Sequence, residues 1–321
     1  MGRSFERRPA GAQGMNPVYV ATAELLVEVA PVVFGSGQFA LKGGTAINLF
    51  FRNVPRLSVD LDLVFLDHRL PRGTALAAIN EALRVAKHEL GRRGLKVHPV
   101  SSADTGETKL IVQRDDISVK IEVNTVIRGT VHPARRRGLT PSASDMLMAD
   151  VELPLLAEEE IYGSKLVAAM DRQHPRDLFD VREMLAHGGL TPGITQCFVV
   201  YLASHNRTIH EVLCPAPKDI SLAYDSAFVG MTALPVSLAA LRETRDRLFR
   251  DLPSALSVNE REFLRTLLRA EPDWSLIPIP HLQELPAIRW RLQNVQKLAL
   301  EQPRRHRQLC EQLDAALDGL S

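Results

Sequence analysis

Arg56-Leu57-Ser58-Val59-Asp60-Leu61-Asp62 is the stretch on which the fold of this chain turns. From Leu57 to Leu66 polar and apolar residues alternate. Alternation marks a half-buried strand, because successive side chains point to opposite faces. Val59, Leu61 and Leu63 then share a core face, while Ser58, Asp60 and Asp62 share the other. Two carboxylates at this spacing lie roughly 7 Å apart along a strand. Paired divalent metals in phosphoryl-transfer sites lie about 3.5–4 Å apart, so such carboxylates can hold one cation or help clamp two. Asp is depleted in strands, and two on one face repel each other without a cation. The competing reading is a solvent-facing strand that happens to carry two aspartates.

Upstream, Phe39-Ala40-Leu41 reads as a short buried strand, broken by Lys42-Gly43-Gly44-Thr45, after which Ala46 to Phe51 reads as a short helix. Glycines let a backbone approach an anion closely, and the free N–H groups of a helix start favour phosphate. An ordinary turn with Thr45 as helix cap is the alternative. The spacings of a Walker loop or a dinucleotide fingerprint are absent. Ala21 to Val32 and Thr74 to Leu90 read as helices. Downstream, Lys109 to Val112 and Ile117 to Val126 read as strands joined by a turn at Arg114-Asp115-Asp116. Ser118, Lys120, Glu122 and Asn124 fall on one face of the second strand. Glu122 there is either a third carboxylate, serving as metal ligand or general base, or the partner of Lys120 on a solvated face.

Past Glu152 strand signals fade, and helices are expected over Glu158–Met170, Pro175–Ala186, Ser237–Leu252, Val258–Ala270, Leu285–Leu300 and Arg304–Leu317. The fold class is α+β, a mixed sheet with helices followed by a mainly helical half. The expected organisation is a flexible tail over 1–16, a core over 17–150 and a helical domain over 151–321. On the helix Tyr162–Arg172, Lys165 and Arg172 share a face and can grip a triphosphate. Pro175 restarts a helix, with Arg176, Asp177 and Asp180 behind it. Solvated charges on two amphipathic helices are the alternative.

With 321 residues and a net charge of +1, the chain has no global basic signature, so a nucleic-acid partner would need a local patch. Arg135-Arg136-Arg137 and Arg304-Arg305-His306-Arg307 are the two candidates, unless they are solvated segments. The three cysteines, Cys197, Cys214 and Cys310, fit no zinc or redox spacing, which points to a reducing cytoplasm. Arg3, Arg7 and Arg8 precede no apolar stretch, so no signal peptide is expected. No apolar run looks long enough to span a bilayer, and no membrane partner is expected.

Taken in order, Leu41-Lys42-Gly43-Gly44-Thr45-Ala46, Arg56 to Asp62, Lys120-Ile121-Glu122, Lys165 and Arg176-Asp177-Leu178-Phe179-Asp180 resemble the AbiEii/AbiGii-type nucleotidyltransferase toxins, with the MenT toxins as relatives. Leu285 to Trp290 also looks like this family. The resemblance spans roughly residues 35 to 300. It implies a polymerase-β-like nucleotidyltransferase core with a helical C-terminal half, acting as the toxin of a type IV toxin–antitoxin or phage-defence pair. It implies transfer of NMP from an NTP to an acceptor hydroxyl, such as the 3′ end of tRNA, with a block of translation. Carried over by position, Asp60 and Asp62 would hold Mg²⁺, or Mn²⁺ in its place. Lys42, Gly43, Gly44, Thr45, Ser58, Lys165 and Arg172 would contact the nucleotide. Glu122, Lys165 and Asp177 would complete the catalytic set, with Asp180 as second choice to Asp177. Gly-Gly-Thr replaces the Gly-Ser of the wider superfamily, and the Thr hydroxyl can still reach a phosphate. Modification of a protein or small molecule, or a non-catalytic binding module on the same fold, are the alternative functions. A cognate antitoxin is the implied protein partner.

Overall fold

The computed structural model describes residues 15–102 and 105–319. The tail expected over 1–16 therefore lies, but for its last two residues, outside the described residues. Seven strands form one mixed sheet in the order β3-β4-β5-β2-β1-β7-β6. They are β1 (Phe39–Lys42), β2 (Asp60–Phe65), β3 (Lys96–Ser102), β4 (Gly106–Arg114), β5 (Ile117–Asn124), β6 (Arg135–Gly138) and β7 (Glu152–Leu155). At the centre, β2 pairs antiparallel with β1 and parallel with β5. The β4–β5 hairpin turns at Asp115, whose φ of 51° an aspartate adopts more readily than most residues.

The sheet is covered first by α1 (Pro17–Phe34), then α2 (Gly43–Thr45), which runs straight into a π-helix over Ala46–Phe51. α3 (Arg72–Arg92) and α4 (Pro141–Leu147) follow. The rest is helical: α5 (Glu158–Asp171), α6 (Pro175–Ala186), α7 (Pro192–Ala203), α8 (Ile209–Leu213), α9 (Ser221–Ala227), α10 (Leu238–Ala255), α11 (Val258–Leu268), α12 (Pro286–Glu301) and α13 (Pro303–Asp318). The architecture is α+β. α3 buries Ala75, Ile79, Ala82, Leu83, Ala86 and Leu90, a single stripe at helical spacing that seats it on the sheet. One core cluster runs from α1 through the sheet to α13.

Four expectations need correction. β2 starts at Asp60, so Ser58 precedes the strand rather than sharing its face. Arg135-Arg136-Arg137 is no free solvated segment but the exposed edge strand β6, with Arg137 donating to the Phe50 carbonyl; charged side chains are what an unprotected edge carries. Strand signals do not end at Glu152, since β7 lies at 152–155 and pairs with β1. Finally, α1 is long and apolar enough to cross a membrane. Half of it is buried, and it packs against β5, β7 and α3, as the core helix of a globular fold does.

Candidate active site

A cleft of about 610 Å³ opens between β1, β2 and β5 on one side and α5, α6 and α7 on the other. That volume is within the usual range for small-molecule sites. The pleat of β2 puts Leu61 and Leu63 in the core with no exposure, and turns Asp60 and Asp62 into the cleft. Strand pairing then builds a row across four strands: Lys42 opposite Asp62, Asp62 opposite Glu122, and Glu122 opposite Lys109. One row along, Asp60 stands opposite Lys120. Neighbouring strands are about 4.8 Å apart, so cations flank carboxylates at contact range.

These charges are unequally satisfied. Glu122 is held by Lys109 at 2.8 Å and Lys120 at 3.1 Å. Burial pushes its carboxyl up, but the two lysines outweigh burial and hold it below the ordinary range. Among the described residues Asp60 has only Arg176, at 3.7 Å, within ion-pair reach. Burial, with the nearby Asp62 and Glu122, raises its carboxyl despite Lys120 and Arg176. Lys42 is half-buried; its ammonium is pushed down first by burial, with Asp62 opposing.

The glycine turn lies over Asp62. Gly43 has φ +76°, and a Cβ there would sit 2.6 Å from Asp62 Oδ2. A Cβ on Gly44 would collide with the guanidinium of Arg56. Two adjacent positions thus require glycine, one for conformation and one for space. The Thr45 hydroxyl donates to the Asp60 carbonyl at 2.5 Å and lies 2.9 Å from the Ser58 hydroxyl. Thr45 therefore ties the turn to the start of β2. The π-helix behind it brings Asn48 under the turn, where its amide donates to Gly44 O (2.8 Å) and Asp180 Oδ1 (3.1 Å). Such π-turns recur at functional sites.

An alternating chain of charge runs from the exposed Arg172 through the buried Asp177, Lys165 and Asp180 of the helical half to the buried Arg56. Arg172 Nε donates to Asp177 at 2.5 Å, and Lys165 Nζ lies 2.8 Å from Asp177 and 3.0 Å from Asp180. Arg56 grips Asp180 with two bonds of 2.7 Å. Burial disfavours the charge on both aspartates, but the cations prevail, holding the Asp177 carboxyl well below the usual range and lowering that of Asp180. Lys165 is raised, because its two carboxylates outweigh its burial. α6 makes this arrangement possible. His174 caps it, Pro175 starts it, and Asp177 and Asp180, three residues apart, share the face that meets Lys165, while Arg176 reaches Asp60.

The residues expected to act on metal or nucleotide reach this cleft or its wall: Lys42, Gly43, Gly44, Ser58, Asp60, Asp62, Glu122, Lys165, Arg172 and Asp177 line it, and Thr45 braces it. Asp177 is taken up by Arg172 and Lys165, and Lys165 is shared between Asp177 and Asp180. An ammonium has three donors, so Lys165 keeps one beyond its two carboxylates. The arginine runs at 135–137 and 304–307 are not among the lining residues. Arg56, Asn48, Arg176 and Lys120 were missed as site residues. Asn48 stands one helical turn after Gly44, a spacing that could have flagged it. Tyr201 and His205 also line the cleft and come from α7 and its end, a helix not expected at all.

Among the described residues no set of three His, Cys, Asp or Glu groups is arranged to hold a metal. Two aspartates facing a cleft nonetheless suit Mg²⁺, which commonly takes one or two carboxylates and completes its shell with substrate phosphates and water. The cleft is lined by seven lysines and arginines against five acidic residues, although the whole chain carries only +1. Glycine turn, paired aspartates and a surplus of cations together suit a nucleoside triphosphate bound with a divalent metal.

Residues 24–294 match the family model for the nucleotidyl transferase AbiEii toxin of type IV TA systems, and the chain belongs to that family. Among solved structures, MenT4, a nucleotidyltransferase toxin from Mycobacterium tuberculosis, superposes with a TM-score of 0.56 at 18% identity, covering 89% of this chain and 95% of that one. This likeness shows a shared fold. An E. coli CdnC:HORMA-deltaN complex aligns over 85% of this chain and 92% of its own, at 11% identity and a TM-score of 0.26, too low to support an argument. A comparison with curated proteins finds no match.

Proposed function

We propose that this protein transfers NMP from an NTP to the 3′ hydroxyl of tRNA and so blocks translation, as the cytoplasmic toxin of a toxin–antitoxin or phage-defence pair opposed by a cognate antitoxin. The observation that carries the chemistry is the pair Asp60 and Asp62, side by side on the cleft face of β2 beneath the Gly43-Gly44 turn. The acceptor oxygen attacks the α-phosphorus, its proton departs, and the bond to the leaving pyrophosphate breaks. Asp60 and Asp62 would hold Mg²⁺, or Mn²⁺ in its place, which when bound neutralises phosphate charge and lowers the acceptor hydroxyl's pKa.

The remaining steps fall to the chain's own residues. Gly43 and Gly44 keep the turn free of side chains, so that the triphosphate can approach the backbone. Lys42 brings an ammonium without an ion-pair partner to the cleft floor. Lys165, positioned by Asp177 and Asp180, offsets the charge that grows on pyrophosphate. Glu122 spaces Lys109 and Lys120 along the sheet. Held by both, its carboxylate is a weak base.

Purified protein with Mg²⁺, each labelled NTP in turn and total tRNA is the test. Label should enter tRNA, and Asp60→Ala should abolish transfer while the fold survives. Label on the protein with none on RNA would defeat the tRNA reading. Turnover that persists in Asp60→Ala would defeat the assigned site.

A further inference from the structure

Of the three arginines that line the cleft, Arg56, Arg172 and Arg176, the last has the fewest commitments. It occupies the second position of α6, next to Asp177. Asp177 is fully buried and gripped by Lys165 and Arg172, so the turn that carries Arg176 is anchored. The Arg176 side chain itself is one-third exposed and lines the cleft. Its backbone N–H is used by the His174 cap. Its guanidinium makes a single ion pair, Nη1 to Asp60 Oδ2 at 3.7 Å, beyond hydrogen-bond length. Among the described residues none of its five N–H donors has a hydrogen-bond partner. By contrast, Arg56 uses Nε, Nη1 and Nη2 in bonds of 2.7–2.8 Å, and Arg172 uses Nε and Nη2.

We propose that Arg176 is a triphosphate-binding residue that rests on Asp60 until nucleotide arrives, its guanidinium standing where a cation would otherwise balance that carboxylate. The inference rests on the reading of this cleft as a metal- and NTP-binding site. The exchange follows from charge and geometry. A guanidinium held at 3.7 Å by one carboxylate oxygen gives up little on leaving. Its planar fork matches two phosphate oxygens, so what it gains on a phosphate is larger. With a metal–nucleotide complex bound, Asp60 would hold the metal and the freed fork of Arg176 would close on the phosphates. Arg176 thus opposes bare metal and favours metal that arrives with nucleotide.

The test reads binding in the absence of any acceptor. Mn²⁺ binding, followed by the loss of its free electron paramagnetic resonance signal, and Mg·NTP binding by calorimetry are measured for wild type, Arg176→Gln and Arg176→Lys. Arg176→Gln is expected to bind Mn²⁺ about two- to fivefold more tightly, as loss of an exposed ion pair implies. It should bind Mg·NTP about tenfold more weakly, as loss of a charge-assisted bond implies. Arg176→Lys keeps the charge without the fork. It should hold Mn²⁺ affinity at the wild-type value and recover only part of the nucleotide affinity. Equal movement of both affinities in Arg176→Gln, or movement of neither, overturns the proposal. A wild-type protein that binds no NTP defeats both this inference and the site assignment. A wild-type protein that binds NTP but whose Arg176→Gln variant binds it equally well defeats this inference alone.

Discussion

Asp180→Ala is expected to be among the most damaging single changes in this chain, although Asp180 has no solvent exposure and touches no open part of the cleft. Its Oδ1 accepts from Arg56 Nε at 2.7 Å and Asn48 Nδ2 at 3.1 Å. Its Oδ2 accepts from Arg56 Nη2 at 2.7 Å and lies 3.0 Å from Lys165 Nζ. Alanine leaves the Arg56 guanidinium, whose side chain is 3% exposed, with no counter-charge. It leaves Lys165 with Asp177 alone. Removing one partner of a buried ion pair costs about 3–5 kcal/mol, because the stranded charge stays out of water. At about 2 °C per kcal/mol for a chain of this size, the Tm should fall by roughly 6–10 °C. Asp180→Asn should fare little better, because its amide sets donors against the Arg56 and Lys165 donors. In Arg56→Met/Asp180→Leu both charges go together, so that double variant should lose at least about 1 kcal/mol less than Asp180→Ala. Differential scanning calorimetry and urea unfolding at pH 7 read all three. An Asp180→Ala Tm within about 2 °C of wild type would refute the claim that Asp180 neutralises buried charge beneath the glycine turn.

Three further outcomes are open to measurement. Gly43→Ala must place a side chain at φ +76° and 2.6 Å from Asp62 Oδ2, so it should cost about 1–2 kcal/mol by urea unfolding and lower NMP transfer further than that loss explains. Glu160 is buried against Val131 N, His132 N and the Tyr201 hydroxyl; burial outweighs these bonds and raises its carboxyl from 4.5 to about 7. The folded state then holds more protons than the unfolded between pH 4.5 and 7. Stability should therefore fall by on the order of 3 kcal/mol as pH rises through that window, and Glu160→Gln should flatten the slope. The Glu28–Arg114 pair is more than two-fifths exposed on both sides, so Glu28→Ala should change unfolding free energy by less than about 1 kcal/mol.

Much of the site was legible in the sequence because its parts are local. Alternation over Leu57–Leu66 placed Asp60 and Asp62 on one strand face, and the pleat puts both in the cleft. Pro175 announced the start of α6, and the observed helix has the expected bounds, Pro175–Ala186. The elements that escaped share a physical cause. α7, Pro192–Ala203, is buried on almost every side, so it shows no stripe, and its Val199, Val200, Ile194 and Thr195 suit a strand equally well. β3 contains Pro99, which an edge strand tolerates but which reads as a break. β6 is a run of arginines because it is an exposed edge.

Partnership among distant charges lay beyond the sequence. Lys165 was expected to contact the nucleotide and Asp177 to belong to the catalytic set, yet the two are paired with each other at 2.8 Å. Arg56 and Asp180 are 124 residues apart and meet in the most buried ion pair of the site. Which residues could carry the chemistry was written in residue type and in periods of two and 3.6, since those depend only on neighbours along the chain. Which of them stand free to meet a ligand, as Arg176 does, and which are bound to each other, as Asp180 is, was settled by strand register and helix packing. Only those bring together charges whose separation along the chain carries no trace of their distance in space.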